Sequence, residues 1–505
     1  MARGDSPRRL SELLDAGGDR DTAVVAAGGS LSWRELRGGV RNLAAALRRH
    51  GLRGGERVLL VLPNEASFPT ATFAVWRAGG VVVPLDHRSP ADQIVRIARD
   101  CQATAVVCDG FVFTKLEGPL REIPSLRFAV VQARRPGTYR LHLEVLAFED
   151  ALRFDEATPA LASEPGDLAG LMYTSGSTGT PKGVMHSHES LLSSLVFTRD
   201  HLGIAPGDRV LVSFPLYHLF SFRVLLAHLL VGAQVVLATD ILAGLRRVEE
   251  TRPNALILVP AACALLVERF ASALSECSPF VRRVCVGSAA ISPSLLARLQ
   301  SLLPQARIHI PYGMTEARIG FLEPVQGRAE RRICAVDPNL ELEVQDEEGR
   351  PIQQGIGELV LRGGALMLGY WHNRDSENAT IRELGFRTRD LMEVTPDGER
   401  FLVGRKDDVI SVGGEKVFPN EVEAALLAHP AVCDARVLAA DDPRGVLGQI
   451  VKAAIVLKPE AGFDRDDILA HCRRRLEPYK VPSVLEPVTE IPRNEMGKLA
   501  RIGRV

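Results

Sequence analysis

An α/β fold with mostly parallel sheets is predicted by two features of the sequence: short β-branched runs that recur along the chain, and amphipathic stretches of helical period between them. Parallel neighbours need a crossover connection, and an intervening helix supplies it. The runs are Val58–Leu62 before a Pro-Asn turn, Val81–Val83, Ala105–Cys108, Phe128–Val131, Val210–Ser213, Val235–Leu237, Leu256–Val259 and Val284–Val286. Trp33–Arg49 and Pro293–Leu303 carry the helical spacing. The most apolar window, Val224–Thr239, contains His228, Gly232 and Gln234 and falls short of the ~20 apolar residues of a membrane span. It is predicted as a buried helix running into a buried strand.

After about Glu330 the segments LELEVQDEEGRPI and GELVLRG alternate in polarity around an Asp-Glu-Glu-Gly turn, which predicts a smaller, more antiparallel β subdomain. Beyond Gly404 the charged stretch RKDD precedes a helix, Pro419–Leu427, and a strand-helix alternation. The expected organisation is a large N-terminal domain, 1–404, of parallel-sheet α/β subdomains plus the β subdomain. A hinge at 405–409 and a small mobile α+β domain at 410–505 follow.

A chain of 505 residues has ample core for several folding units. Lys plus Arg (61) nearly balance Asp plus Glu (62), leaving a net charge of −1 and no global field to attract nucleic acid or an anionic membrane. Any anion must therefore be held locally. Eight cysteines are scattered without a C-x-x-C pair, which fits reduced thiols, and the N-terminus MARGDSPRRLSELLD lacks the apolar segment of a signal peptide. The expectation is a cytoplasmic protein with no membrane span and no nucleic-acid partner.

The most informative stretch is Tyr173-Thr-Ser-Gly-Ser-Thr-Gly-Thr-Pro-Lys-Gly183, set between the apolar segment LAGLM and a stretch expected to be helical. Glycines let backbone N–H groups approach phosphate oxygens, hydroxyls donate further bonds and Lys182 adds charge. The P-loop pattern G-x-x-x-x-G-K-[ST] fails, because Pro181 precedes Lys182 and Gly183 follows it. A flexible linker would need neither the Pro-Lys-Gly ending nor apolar flanks on both sides.

This segment resembles the signature loop of the adenylate-forming superfamily, which comprises acyl- and aryl-CoA synthetases, nonribosomal peptide adenylation domains and firefly-type luciferases. Further motifs follow in that family's order, from LSWRELR at 31–37 and VPLDHRSP at 83–90 to the last ten residues. The resemblance implies that Thr174, Ser175, Gly176, Ser177, Thr178, Gly179 and Lys182 bind the phosphates of ATP. It also implies that Tyr312 and Gly313 form one wall of the adenine slot, with Ser288 and Ala289 opposite. Thr315 would bond phosphate and Glu316 would stand near Mg²⁺, a hard cation suited to one carboxylate plus phosphate oxygens. Taken alone, Thr-Glu after Met would equally cap a helix, and Gly287-Ser-Ala-Ala290 would equally serve as a strand-to-helix turn.

By the same resemblance Asp390 accepts from the ribose hydroxyls, with Arg405 beside it; a carboxylate suits a vicinal diol because two acceptors meet two donors. The family usually has Gly before this aspartate, where this chain has Arg389, a side chain that either perturbs the loop or points to solvent. Asp407 matches the hinge position, and Gly413 and Gly414 match the loop lining the thiol tunnel. Lys498, in PRNEMGK, matches the catalytic lysine bridging the acid's carboxylate and the α-phosphate, where an ammonium offsets the repulsion of two anions. His218, in FPLYHLFSF, matches the histidine where acyl pocket and thiol tunnel meet.

The implied activity is a ligase that makes an acyl-adenylate and pyrophosphate from ATP and a carboxylic acid, then passes the acyl group to a thiol. The thiol is that of coenzyme A or of the phosphopantetheine arm of a separate acyl carrier protein, identical at sulfur. From another class, a non-catalytic acyl-adenylate-binding module would keep the scaffold and lose the chemistry. Leu219, Phe220, Ser221 and Phe222 follow His218 where amino-acid-activating relatives usually carry an Asp, which disfavours an α-amino acid. An aryl or short to medium aliphatic acid is expected. Arg223 and Arg318 lie next to the pocket motifs, either pointing outward or holding a second carboxylate or hydroxyl.

Overall fold

The computed structural model describes residues 9–132, 143–154, 161, 163–174, 181–326, 328, 330–372 and 375–492, the side chains of 375–377 excepted. Every predicted run is a strand whose ends fall within one residue of expectation, and the helices Trp33–Arg49, Pro293–Leu302 and Pro419–Leu427 form. Trp33–Arg49 begins at a Ser32 N-cap whose hydroxyl and the Glu35 carboxylate satisfy each other's backbone N–H groups, and it buries Trp33, Leu36, Val40, Leu43 and Leu47 on one face. The window Val224–Thr239 runs from the helix Leu219–Leu229 into the strand Gln234–Leu237, and no helix among the described residues is long and apolar enough to cross a membrane.

Two large sheets dominate. One has eight strands, with Leu168–Thr174, Val81–Pro84, Arg57–Val61, Ala105–Asp109, Phe128–Gln132 and Glu144–Ala147 pairing in parallel. The other has thirteen; Arg307–Gly313, Arg283–Val286, Ala255–Leu258, Arg209–Val212, Gln234–Leu237 and Thr22–Ala26 form its parallel part. The change to antiparallel pairing comes earlier than Glu330. Arg307–Gly313 is parallel to Arg283–Val286 on one side and antiparallel to Arg318–Pro324 on the other. The short link between those last two strands cannot make a crossover, so they pair as a hairpin and the antiparallel strands extend the same sheet.

Parallel sheets are covered on both faces, and this gives five layers. Ile94, Val112 and Phe113 cover the outside of the eight-stranded sheet, and Val267, Leu274 and Leu299 the outside of the other. Between the sheets the helices Ser67–Arg77 and Leu219–Leu229 pack on each other through Phe68, Trp76 and Phe222, with ring centroids 6.0 and 6.1 Å apart. Asn64, buried in the turn after Arg57–Val61, donates to Phe214 O (2.9 Å) and Ala238 O (3.1 Å) and accepts from Leu216 N (3.0 Å). It ties the first sheet to the carboxyl ends of two strands of the second.

The C-terminal residues build a core of their own, in which Pro419–Leu427 and Arg465–Arg473 cover the sheet of Val432–Asp441, Gln449–Leu457 and Val484–Pro487. None of the eight cysteines is in a disulfide.

His186, His188 and His228 are 0, 2 and 1% exposed, and burial pushes their imidazoles down to about 3, 4 and 4. An unfolded imidazole titrates near 6.5, so below that pH the unfolded chain takes up protons the native state refuses, and stability falls as pH drops. Each histidine should remove about 1 kcal/mol between pH 6 and pH 5. Denaturant unfolding at both pH values should show this, and His228→Gln should flatten the slope by one histidine's share. An unchanged slope would contradict it.

Candidate active site

Several of the expected site residues gather where parallel strands of the larger sheet end, the usual place for ligands in α/β proteins. Arg209–Val212 leads through 213–217 to His218, Arg283–Val286 leads to Gly287–Ala290, and Arg307–Gly313 delivers Tyr312 and the Met314-Thr315-Glu316 turn. No helix follows Glu316, so the helix-cap alternative is excluded; Met314 N bonds Ala317 O and closes the hairpin. Ser288 has a φ of +73°. A Cβ on Gly287 would lie 2.8 Å from both the Phe220 ring and Pro311, so only glycine lets these three meet.

Asp390 is 6% exposed on the strand Phe386–Val394. It accepts from Tyr312 Oη (2.7 Å) and from Arg405 Nη1 (2.8 Å), and Arg405 also reaches Thr388 O (3.0 Å). Burial raises the Asp390 carboxyl above the usual range, opposed by the Tyr312 hydroxyl and the Arg405 guanidinium. Tyr312, Asp390 and Arg405, far apart in sequence, thus form one bonded unit.

The phosphate loop departs from expectation in its setting. Lys182 opens a strand, Lys182–Ser187, rather than a helix, and pairs directly with Thr174 across an antiparallel hairpin. The helix begins only at His188, capped by Ser187. A strand-loop-strand frame is a further departure from the P-loop, which runs from strand to helix. Ser175, Gly176, Ser177, Thr178 and Gly179, together with Lys498, lie outside the described residues.

Sequence reasoning missed Tyr370. Its hydroxyl donates to Glu316 Oε1 (2.8 Å), and its ring lies 4.9 Å beneath the Lys182 ammonium. Tyr370 stands on the short strand Gly369–Tyr370, paired with Met185 and Val184, so Lys182 and the Glu316 carboxylate are joined through one aromatic side chain. Among the described residues no group of three or more His, Cys, Asp or Glu could hold a metal ion by itself. A single carboxylate at Glu316 fits a Mg²⁺ carried in with phosphate oxygens. His186 was also missed; its Nε2 lies 2.8 Å from Thr315 O and braces the same turn.

His218 precedes the helix Leu219–Leu229, stacked on Phe214 with centroids 5.1 Å apart. Gly413 and Gly414 form a two-residue turn between Ile410–Val412 and Glu415–Val417 with φ of +57° and +93°, values that this hairpin turn requires and glycine adopts freely.

The Arg389 side chain is 54% exposed, as the solvent-facing alternative expected, yet an ion pair ties it down. Its φ is +62°, the left-handed conformation for which glycine is the easy residue. Its Nε donates to Asp407 Oδ2 (2.7 Å) and its Nη2 to the other oxygen. The expected hinge residue, which sits in a 3₁₀ turn at Lys406–Asp408, is therefore held by a two-pronged ion pair. Glu358 backs this up by accepting from Arg387 (2.9 Å), Lys406 (3.1 Å) and Arg389 N (3.2 Å). For Arg223 and Arg318, by contrast, the outward-pointing alternative is overturned, since each is 6% exposed.

Tyr370→Phe keeps the ring under Lys182 and removes the bond to Glu316. Adenylation should slow about tenfold, the size of a lost hydrogen bond to a charged group, with the fold intact; an unchanged rate would mean Tyr370 does not orient Glu316. Arg389→Gly relieves the left-handed backbone and breaks a half-exposed ion pair, two effects of about 1 kcal/mol and opposite sign. The melting temperature should move by no more than about 3 °C while the ratio of adenylation to thioester-forming rates changes. An unchanged ratio would show that the ion pair does not govern the hinge.

Residues 15–371 match the family described as AMP-binding enzyme, and residues 421–498 match its C-terminal domain. 4-Coumarate–CoA ligase 1 of Oryza sativa subsp. japonica is 31% identical, with 94% of this chain and 87% of the relative covered. Feruloyl-CoA synthase of an Amycolatopsis species is 32% identical, with 95% and 94% covered. The crystal structure of the anthranilate CoA ligase AuaEII in complex with anthranoyl-AMP superposes with a TM-score of 0.85 at 27% identity, covering 99% of this chain and 97% of that one.

Proposed function

The chain belongs to the AMP-binding enzymes of the adenylate-forming superfamily and is an AMP-forming acid–thiol ligase, and on that premise we propose that it activates an aryl or short to medium aliphatic acid and delivers it to CoA. The observation that carries this reading is the bonded unit of Tyr312, Asp390 and Arg405 beside the Lys182–Tyr370–Glu316 line.

In this reading the ribose hydroxyls of ATP donate to Asp390, whose position Tyr312 and Arg405 already fix. The adenine lies between Tyr312 and the Gly287–Ala290 loop, whose small side chains leave room for a flat base. The Thr174–Lys182 hairpin holds the phosphates, with Lys182 supplying charge and Thr315 a hydroxyl. Glu316 would hold Mg²⁺, which neutralises charge on the departing pyrophosphate. The acid's carboxylate attacks the α-phosphorus, pyrophosphate leaves, and Lys498 offsets the repulsion between the two anions. Holding both reactants in register supplies much of the acceleration. The region 410–505 then turns about Asp407, and the CoA thiolate displaces AMP past His218 and the Gly413–Gly414 turn.

Pyrophosphate release with MgATP, across aryl, aliphatic, dicarboxylic and amino acids with and without CoA, tests the reading. Release with one acid class, raised by CoA and accompanied by acyl-CoA, is expected. Release stalling near one turnover with CoA present would transfer the role of acceptor to a carrier protein, and none with any acid would favour a binding module. Lys498→Ala should abolish acyl-AMP formation while thioester formation from supplied acyl-AMP persists; equal loss of both steps would refute this division of labour.

A further inference from the structure

Arg223 and Arg318 are each 6% exposed, and among the described residues neither guanidinium makes a hydrogen bond or an ion pair. Arg223 Nε, Arg318 Nε and Arg318 Nη2 are fully shielded from solvent and unpartnered. A buried charge without a partner is costly enough that such groups are nearly always paired or bind something. Arg318 lies over the Phe321 ring, 4.3 Å from its centroid, and both arginines are within electrostatic reach of each other and of Asp337. Asp337 makes no ion pair with either; its Oδ1 accepts from Asn339 N (3.0 Å) and its Oδ2 has no partner. Glu316 also acts on Arg223 electrostatically, so two carboxylates lie within range of the pair, yet neither bonds a guanidinium. His186 and His201 nearby are driven toward neutrality by burial first and then by Arg223 and Arg318 respectively.

The location is legible from the elements. Arg223 is three residues beyond Phe220 on the helix Leu219–Leu229, so the two share a face. Cys285, which Arg318 approaches, precedes Gly287 by two residues, so those two share a face of their strand extension. Phe220 closes on Gly287 itself. The arginines therefore lie one step inward from the Phe220–Gly287 contact, between the helix that His218 precedes and the strands that end at the adenine slot.

We infer that Arg223 and Arg318 form an anion subsite at the inner end of the acyl pocket, which receives a second carboxylate of the substrate, so that the enzyme activates a dicarboxylic acid by its other carboxyl group. The inference rests on the ligase reading. A guanidinium fork matches a carboxylate in two parallel bonds, and the orphaned N–H groups supply the donors. An aromatic or aliphatic spacer lies against Phe220, and the orphaned N–H groups gain acceptors only when the diacid is bound. Its monoacid counterpart leaves the guanidiniums unpaired, the situation in which a polar site discriminates most strongly.

Matched pairs test it: phthalate against benzoate, and adipate against hexanoate, in MgATP-dependent pyrophosphate release by the full-length enzyme, with Arg223→Met and Arg318→Met. The wild type should prefer the diacid of at least one pair by ~10- to 100-fold in kcat/KM, the range of a charge-assisted hydrogen-bonded pair. Either variant should collapse that ratio toward one. Each variant should also melt no lower than the wild type, because methionine removes buried N–H groups that nothing bonds, whereas arginines that merely brace the fold would lower the melting temperature on removal. Preference for the monoacid of both pairs in the wild type, or equal loss of both acids in the variants, would overturn the subsite. If no acid of either class releases pyrophosphate, the ligase reading fails separately. The same pairs are then compared by calorimetric binding with ATP present: tighter diacid binding that the variants lose upholds the subsite, and equal binding overturns it.

Discussion

Parallel sheets bury both faces, and this chain contains two of them, so the structure depends on one shared layer of helices that covers an inner face of each. Phe68 and Trp76 on one helix meet Phe222 on another, and that aromatic contact sets the separation and registry of the sheets. Asn64 adds a polar tie, making three hydrogen bonds to backbone at the strand ends of the opposite sheet in a place where water does not compete. The helix that brings Phe222 to this layer follows His218 and carries Arg223. Packing of the core and placement of the pocket are therefore one constraint.

The site shows how buried polar groups are arranged around this frame. Asp390 is enclosed yet bonded from two sides by Tyr312 and Arg405, which orients its oxygens before any ligand arrives. Glu316 is oriented by Tyr370, and the turn that holds it is braced by His186 through Thr315 O. Arg223 and Arg318 break the pattern, being buried without partners, and that exception points to a ligand rather than to the fold. At the expected hinge position the logic is reversed: Arg389 and Asp407 are half-exposed, so breaking their two-pronged pair costs little.

Several functional residues escaped sequence reasoning for a common physical reason. Tyr370 matters because a two-residue strand at the sheet edge sets its ring under Lys182, and no periodicity reports a strand so short. The strand Lys182–Ser187 looked helical in its neighbourhood because the helix after it has the stronger pattern, and only its pairing with Leu168–Thr174 makes it a strand. Arg389 was visible as a departure from glycine, but its partner eighteen positions on depends on how two strand ends meet.

The sequence by itself determined the alternation of strands and helices, the parallel class of the sheets, the α+β C-terminal region and the family, because hydrophobic period, turn residues and short motifs are local properties of the chain. Tertiary structure alone decided that the antiparallel strands continue the second sheet, that Tyr312, Asp390 and Arg405 close on one another, and that Arg223 and Arg318 face inward without partners. Those facts depend on distances between segments far apart in sequence, and the packing of one sheet against another sets such distances.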